Sequence, residues 1–172
     1  VYFGTDGEPL PVGTTIRVPA LAATFEALAK AGPAAFYGPE AAASLAAHVA
    51  AATPQDGRMT AADIAAYQPK AREPVCAGYR VYRVCGMGPP SSGGIAVAQM
   101  LGQLERFDLA ALGDGPAAWH LFAEASKLAF ADRELYMADA DFIDVPAGGL
   151  LDPQYLAGRA ELIDPARALL NG

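Results

Sequence analysis

Apolar residues recur every three or four positions along most of this chain, which is the spacing of amphipathic helices. With proline and glycine as stops, the spacing predicts about six or seven helices, over residues 19–31, 40–52, 60–67, 94–106, 117–137, 153–160 and 165–170. Residues 73–85 carry β-type runs around a turn near residues 78–81, which predicts one β-hairpin. We therefore expect a mainly helical α+β fold in which residues 1–172 form a single segment.

The longest predicted helix, residues 117–137, is apolar on two faces. One face carries Trp119, Phe122, Ser126, Phe130 and Arg133, and the other carries Leu121, Ala125, Leu128 and Leu135. A helix that is apolar on two faces is buried on both sides. We expect this helix to lie at the centre of the fold.

The composition is unusually apolar for a chain of this size. Hydrophobic residues make up 53% of the 172 residues and charged residues only 18%. Much of the apolar content is alanine, which favours closely packed helices. Two explanations stay open at this point: a large internal core, or a surface buried against another chain or segment.

The charge balance excludes two classes of partner. A formal net charge of −7 gives neither a nucleic acid nor an anionic membrane surface a basic patch to bind. No run approaches the roughly 20 apolar residues that a membrane-spanning helix needs. The sequence starts at Val1 without a basic leader, so we expect a mature or excised piece whose start does not encode its compartment.

The stretch Met87-Gly88-Pro89-Pro90-Ser91-Ser92-Gly93-Gly94 links the predicted hairpin to the next predicted helix. Two prolines stiffen it and remove two backbone donors, and two serines offer hydroxyls that cap a helix. Two glycines allow another backbone to approach closely. The stretch is compatible with an anion site, a serine nucleophile or a tight strand-to-helix turn.

These residues favour the tight turn. A hydrolase elbow requires Gly-x-Ser-x-Gly, and the spacing around Ser91 and Ser92 differs from it. Only His48 and His120 are available as a base, and both fall in apolar helices where we expect structural roles. No Gly-Lys-Ser/Thr follows the glycines, so the stretch is not a nucleotide-binding loop. By chemistry alone the chain offers no convincing catalytic group, metal site or cofactor site.

The two cysteines, Cys76 and Cys85, lie within the predicted hairpin. They do not form a Cys-x-x-Cys pair, so a zinc or thioredoxin-like site is not expected. Either a disulfide joins the neighbouring strands, or both are buried thiols.

Several segments together resemble the γ-glutamyltranspeptidase family. The most specific is Pro89-Pro90-Ser91-Ser92-Gly93-Gly94-Ile95, and the others, in the family's order, are residues 19–25, 35–38, 59–67, 79–84, 129–136 and 139–146. Two positions depart from the family pattern: Gly88 stands where a further proline is usual, and Val81 where a glycine is usual. The resemblance covers essentially the whole chain.

The resemblance implies a part of an αββα N-terminal nucleophile hydrolase, which is made as a precursor that cleaves itself into two subunits. This chain matches the C-terminal part of the large subunit. The nucleophile is the first threonine of the small subunit, with its own α-amine as base. Thr14-Thr15 lacks the histidine and serine of that motif. We therefore expect no catalytic residue in this chain, and a structural role near the active site for residues 89–94.

The resemblance also implies a function and partners. The parent enzyme would transfer or hydrolyse γ-glutamyl groups, as from glutathione, without a cofactor, while related acylases cleave cephalosporin side chains or poly-γ-glutamate. This chain would pack against the small subunit and the rest of the large subunit, in a periplasmic or secreted protein. That compartment favours the Cys76–Cys85 disulfide. The alternatives are a stand-alone helical interaction module, or a serine hydrolase that uses Ser91 or Ser92.

Overall fold

The computed structural model describes residues 2–53 and 59–169 and divides the chain into two compact units, Val1–Lys70 and Ala71–Gly172. Within the described residues there are nine helices and one two-stranded antiparallel sheet. The mainly helical α+β class with one hairpin is therefore confirmed. None of the helices in those residues is both long enough and apolar enough to span a bilayer.

The first unit contains α1 (Pro19–Ala31), α2 (Ala34–Tyr37), α3 (Pro39–Ala52) and α4 (Ala61–Ala66). Proline stands at the start of α1 and of α3, where its fixed φ suits the first helical turn. Thr60 and Asp63 form a capping box, in which each side chain accepts a hydrogen bond from the other residue's backbone N–H. The described part of this unit buries few apolar side chains, Ala42 and Ile64.

The second unit contains β1 (Val75–Tyr79), β2 (Tyr82–Gly86), α5 (Gly93–Leu104), α6 (Leu109–Leu112), α7 (Pro116–Tyr136), α8 (Ala147–Leu150) and α9 (Pro153–Ala160). Its core lies between α5 and α7 and is formed by Leu104, Leu121, Ala125, Leu128 and Ile163. Asp152 caps α9 by accepting hydrogen bonds from two backbone N–H groups of its first turn. The unit therefore has a continuous apolar core with α7 along one side.

The number of helices differs from the prediction for two reasons. The helices α2, α6 and α8 are single turns of four residues, too short to show a periodic pattern. The helix predicted over residues 165–170 is wrong for the described residues 165–169, and Leu170 lies outside them. There, Asp164 accepts from the backbone N–H of Ala166 and forms an isolated bridge with Arg167, which makes a turn.

The two apolar faces of α7 have different environments. Leu121, Ala125 and Leu128 are buried in the core, as predicted. The other face is not covered within the described residues of its unit: Trp119 is 61% exposed and Phe130 is 52% exposed. The expectation of a helix packed on both sides is therefore wrong for this chain by itself.

Candidate functional site

The stretch between β2 and α5 is a tight strand-to-helix turn. The peptide bond between Pro89 and Pro90 is cis. The N–H of Ser91 donates to the carbonyl of Gly88 at 3.0 Å, and the carbonyl of Ser92 accepts the first helical hydrogen bond of α5. The sequence therefore located this turn correctly between a strand and a helix.

Two glycines bring the ends of this turn into direct backbone contact. A Cβ atom at Gly94 would lie 2.4 Å from the carbonyl oxygen of Met87, and one at Gly86 would lie 2.7 Å from the Cα of Gly94. Neither position has room for a side chain because the opposing atoms belong to the backbone. The close backbone contact expected from Gly93 and Gly94 is therefore present at Gly94, whereas the nearest atom to a Cβ at Gly93 would be the side-chain oxygen of Ser91 at 3.8 Å.

The expectation that a serine caps α5 is wrong. Ser92 is the residue before the helix, but its side chain makes no capping hydrogen bond and its backbone is already helical, with φ −85° and ψ −17°. A capping serine normally adopts an extended backbone that aims its oxygen at the first turn. The hydroxyl of Ser92 instead accepts a hydrogen bond from Nε of Arg133 on α7, at 3.0 Å. This contact ties the turn to the longest helix.

The geometry of the turn does not supply an activated nucleophile. The ring of His120 is bound through Nε2 to the carbonyl of Asp164 at 2.8 Å. His48 lies on α3, in the first unit. Within residues 2–53 and 59–169, neither Ser91 nor Ser92 is hydrogen-bonded to a histidine, which is the contact that activates a serine.

A buried carboxylate on α7 connects this helix to α5 and α9. Asp132 on α7 is 4% exposed and accepts a 2.7 Å hydrogen bond from Nε2 of Gln99 on α5. It is also ion-paired at 3.1 Å with Arg159 on α9. The amide of Gln99 donates a second, longer hydrogen bond to the carbonyl of Leu150 on α8. Asp132 therefore has partners that offset its removal from water.

Tyr155 on α9 is the fourth side chain of this cluster. Its partial burial, reinforced by a hydrogen bond with the Asp132 carboxylate, raises the pKa of Tyr155 to about 12. The phenol is thus neutral at physiological pH and can donate to Asp132. We define Gln99, Asp132, Tyr155 and Arg159 as the Asp132 cluster.

Reasoning from chemistry alone did not identify the Asp132 cluster. One signal was present: Asp132 follows Leu121, Ala125 and Leu128 at helical spacing, so a carboxylate falls on the buried face of α7. A charge at such a position is buried only when it is paired. The identity of its partners was not accessible, because they are 23 to 33 residues away in the sequence, on other helices.

The hairpin carries the two cysteines opposite each other. Cys76 pairs with Cys85 in the strand register, their Cα atoms are 4.1 Å apart, and their sulfur atoms are bonded. At the hairpin tip, Arg80 has a positive φ of 54°. Its guanidinium donates to the carbonyls of Glu105 and Phe107 at 3.1 and 2.7 Å, so the tip is bound to the end of α5.

No group in the described ranges, 2–53 and 59–169, offers a metal ion three or more His, Cys, Asp or Glu side chains. A cavity of 390 Å³ lies between β1, α5 and α9, and its lining is mainly apolar. The two charged residues that line it are already engaged: Glu105 with Arg80, and Arg106 with the carbonyl of Ala157. Neither charged side chain that lines this cavity is therefore left unpaired.

Comparison with known proteins identifies the family of this scaffold. The family model described as Gamma-glutamyltranspeptidase matches residues 1–171. The chain is 40% identical over 167 residues to the glutathione hydrolase proenzyme of Escherichia coli, covering 96% of this chain and 28% of that protein. It is 41% identical over 158 residues to the acylase ACY 1 proenzyme of a Pseudomonas strain (V22), covering 91% of this chain and 28% of that protein.

A solved structure agrees with these sequence comparisons. The γ-glutamyltranspeptidase of Helicobacter pylori superposes with a TM-score of 0.73 and 33% identity, covering 98% of this chain and 48% of that one. The chain thus spans a little over a quarter of the length of the curated relatives it matches. With the family pattern extending over residues 1–171, the chain belongs to the γ-glutamyltranspeptidase family.

Proposed function

We propose that this chain is the C-terminal part of the large subunit of an enzyme that transfers or hydrolyses γ-glutamyl groups. The observation that carries the proposal is the family match over residues 1–171, together with 40% identity to a glutathione hydrolase proenzyme. The same match is evidence against a stand-alone interaction module, because no part of the described chain is left outside the family pattern.

In this proposal the nucleophile is a threonine outside the chain. Its hydroxyl oxygen attacks the γ-carbonyl carbon while its α-amine takes the proton, and the leaving amine departs with a proton. Water or an acceptor amine then cleaves the resulting acyl-enzyme ester. The described residues support this division of labour, since neither Ser91 nor Ser92 is hydrogen-bonded to a histidine.

The role of this chain would be to support the interior near the active site. Residues 89–94 belong to a turn in which Gly94 is in backbone contact with Gly86 and Met87 and in which Ser92 is bound to α7. The Asp132 cluster then joins α7 to α5 and α9. A support of this kind restricts the movement of whatever packs against the turn.

The partners in this proposal are the small subunit and the rest of the large subunit. This part of the proposal rests on the exposed face of α7. There the rings of Trp119 and Phe122 pack edge to face with their centroids 5.9 Å apart, and the two residues are 61% and 45% exposed. An aromatic surface of this kind usually marks an interface. Each relative is more than three times longer than the matched region, so a protein of that length has further residues that can cover this face.

We place the parent enzyme in an oxidising compartment, either the periplasm or the extracellular medium. This assignment rests on the disulfide between Cys76 and Cys85. Disulfides persist in oxidising compartments and are rare in the cytosol. Alkylation of the protein from intact cells without reductant, followed by mass spectrometry, should leave both cysteines unmodified. Alkylation of both would refute the assignment.

An acylase function is the second candidate. The observation that favours it is 41% identity to an acylase proenzyme, equal within one percentage point to the identity with the glutathione hydrolase. A comparison of two substrates distinguishes the two candidate functions. The full-length gene product is assayed with a γ-glutamyl anilide and with a cephalosporin that carries an acyl side chain. We expect the anilide to be the better substrate, and the reverse order would favour the acylase.

The experiment that tests the proposal compares three proteins on a γ-glutamyl anilide. We expect turnover by the full-length gene product and none by residues 1–172 alone. Full-length S91A should keep most of this turnover because the Ser91 hydroxyl carries no step. Robust turnover by residues 1–172 that S91A or S92A abolishes would refute the proposal and favour a serine hydrolase.

A further inference from the structure

A short segment after α9 is held on α7 by polar side chains. Residues 164–169 contain neither a helix nor a strand. His120, Glu124 and Lys127 are spaced at i, i+4 and i+7, so they lie on one face of α7. All three contact the backbone of this segment.

The contacts bind both ends of the segment. Nε2 of His120 lies 2.8 Å from the carbonyl oxygen of Asp164. At the other end, the N–H of Leu169 donates to Oε2 of Glu124 at 2.8 Å, and Nζ of Lys127 donates to the carbonyl of Leu169 at 3.0 Å. Lys127 also donates to Oε1 of Glu124 at 2.6 Å. One charged pair thus satisfies both backbone groups of Leu169.

Glu124, which accepts the hydrogen bond from the Leu169 N–H, is only 1% exposed. A buried carboxylate is costly unless it is paired and hydrogen-bonded. Here the hydrogen bond from Lys127, reinforced by the Leu169 N–H, lowers the pKa of Glu124 in spite of its burial. The pairing is therefore complete only while the 164–169 segment is in place.

Apolar contacts hold the segment only near its ends. Ile163, just before the segment, is buried in the core, and Leu169 packs against the same core cluster. Residues 164–168, which lie between them, are exposed. The position of the segment thus depends on the polar contacts at its ends and on the packing of Leu169.

We propose that residues 164–169 are a detachable segment of the fold, closed by the Glu124–Lys127 pair, which opens as a unit while the α5–α7 core stays folded. Local opening of this kind is expected where the backbone is held by few contacts outside regular structure. The proposal does not rest on the proposed enzymatic function. It concerns contacts within the second unit alone.

Hydrogen exchange followed by mass spectrometry tests the proposal in the full-length gene product. In E124Q, which keeps the shape and removes the charge, peptides covering 161–169 should exchange at least about tenfold faster. Peptides from α5 should exchange within about twofold of the wild-type rate. The matched control is E134Q, since Glu134 is an exposed, ion-paired glutamate on the same helix.

K127M provides a second variant that leaves the carboxylate in place. It should accelerate exchange in the same peptides and leave α5 unchanged, because the carbonyl of Leu169 loses its charged donor. Two results would overturn the proposal: wild-type exchange at 161–169 in both variants, or equal acceleration of that segment and of α5. The first would mean that the pair does not hold the segment, and the second that the segment is not a separate unit.

Discussion

Replacing Asp132 by alanine tests the energetics of the scaffold most sharply. The substitution removes the carboxylate that pairs with Arg159 at 3.1 Å and accepts from Gln99 at 2.7 Å. Arg159 would keep its hydrogen bond to the carbonyl of Leu128, and Gln99 would keep its bond to Leu150. The variant would therefore leave a partly buried guanidinium without its counter-charge.

The expected cost follows from these contacts. Removing one partner of a buried ion pair costs about 3–5 kcal/mol, and we take the lower end because the Arg159 side chain is 19% exposed. The lost hydrogen bond of Gln99 adds about 1 kcal/mol. A total of about 4 kcal/mol corresponds to about a thousandfold change in an opening equilibrium.

Hydrogen exchange of the α9 amides in the full-length gene product measures this quantity. In D132A we expect α9 peptides to exchange faster by about two to three orders of magnitude, since α9 is tied to α7 through Arg159. E134Q serves as the control, because an exposed substitution on the same helix typically changes stability by less than about 0.5 kcal/mol. Exchange in D132A within threefold of the wild-type rate would show that the Asp132–Arg159 pair does not hold α9 on α7.

Two further predictions concern the turn and the response to acid. In G94A the new Cβ would lie 2.4 Å from the carbonyl oxygen of Met87, so we expect a loss of about 1–3 kcal/mol and a lower Tm, whereas G93A, whose nearest contact is 3.8 Å, should change the Tm little. Equal Tm values for the two variants would contradict the close backbone contact. The pKa of Glu124 is lowered, so its contribution to stability is complete above its ordinary value of 4.5 and is lost as the pH falls through the lower folded pKa. Urea unfolding from pH 7 to pH 3 should show this acid loss in the wild type and a smaller one in E124Q, and identical pH profiles would contradict it.

The elements that sequence patterns predicted well have signals within their own residues. The longest helix was predicted over 117–137 and runs from Pro116 to Tyr136, because a proline start and a long periodic pattern define it locally. The hairpin and the short helix near residue 60 were predicted for the same reason. Local chemistry decides such elements before any tertiary contact forms.

Two of the wrong expectations concern segments whose contacts are with distant partners. A helix was predicted after Pro165, but the backbone of Leu169 is instead bound by Glu124 and Lys127, more than 40 residues earlier in the chain. The serine that was expected to cap α5 likewise binds Arg133, 41 residues later. Hydrogen bonds to charged side chains are stronger than neutral ones, so these contacts can override local propensity. A single sequence does not reveal such pairs.

The candidate site shows the same division. Residues 89–94 were located correctly as a turn, and their role near an active site stays a prediction. The sequence indicates Asp132 only as a charged residue on the apolar face of α7, and it does not indicate the partners of this carboxylate. The family resemblance implies what local chemistry does not indicate, namely a nucleophile outside these residues, and that location stays a prediction.

Covalent labelling locates the nucleophile. The full-length gene product is treated with an electrophilic glutamine analogue and digested, and the modified residue is identified by mass spectrometry. We expect a single labelled threonine outside residues 1–172, with no label on this chain. A label on Ser91 or Ser92 would contradict it, because the nucleophile would then belong to the turn between β2 and α5.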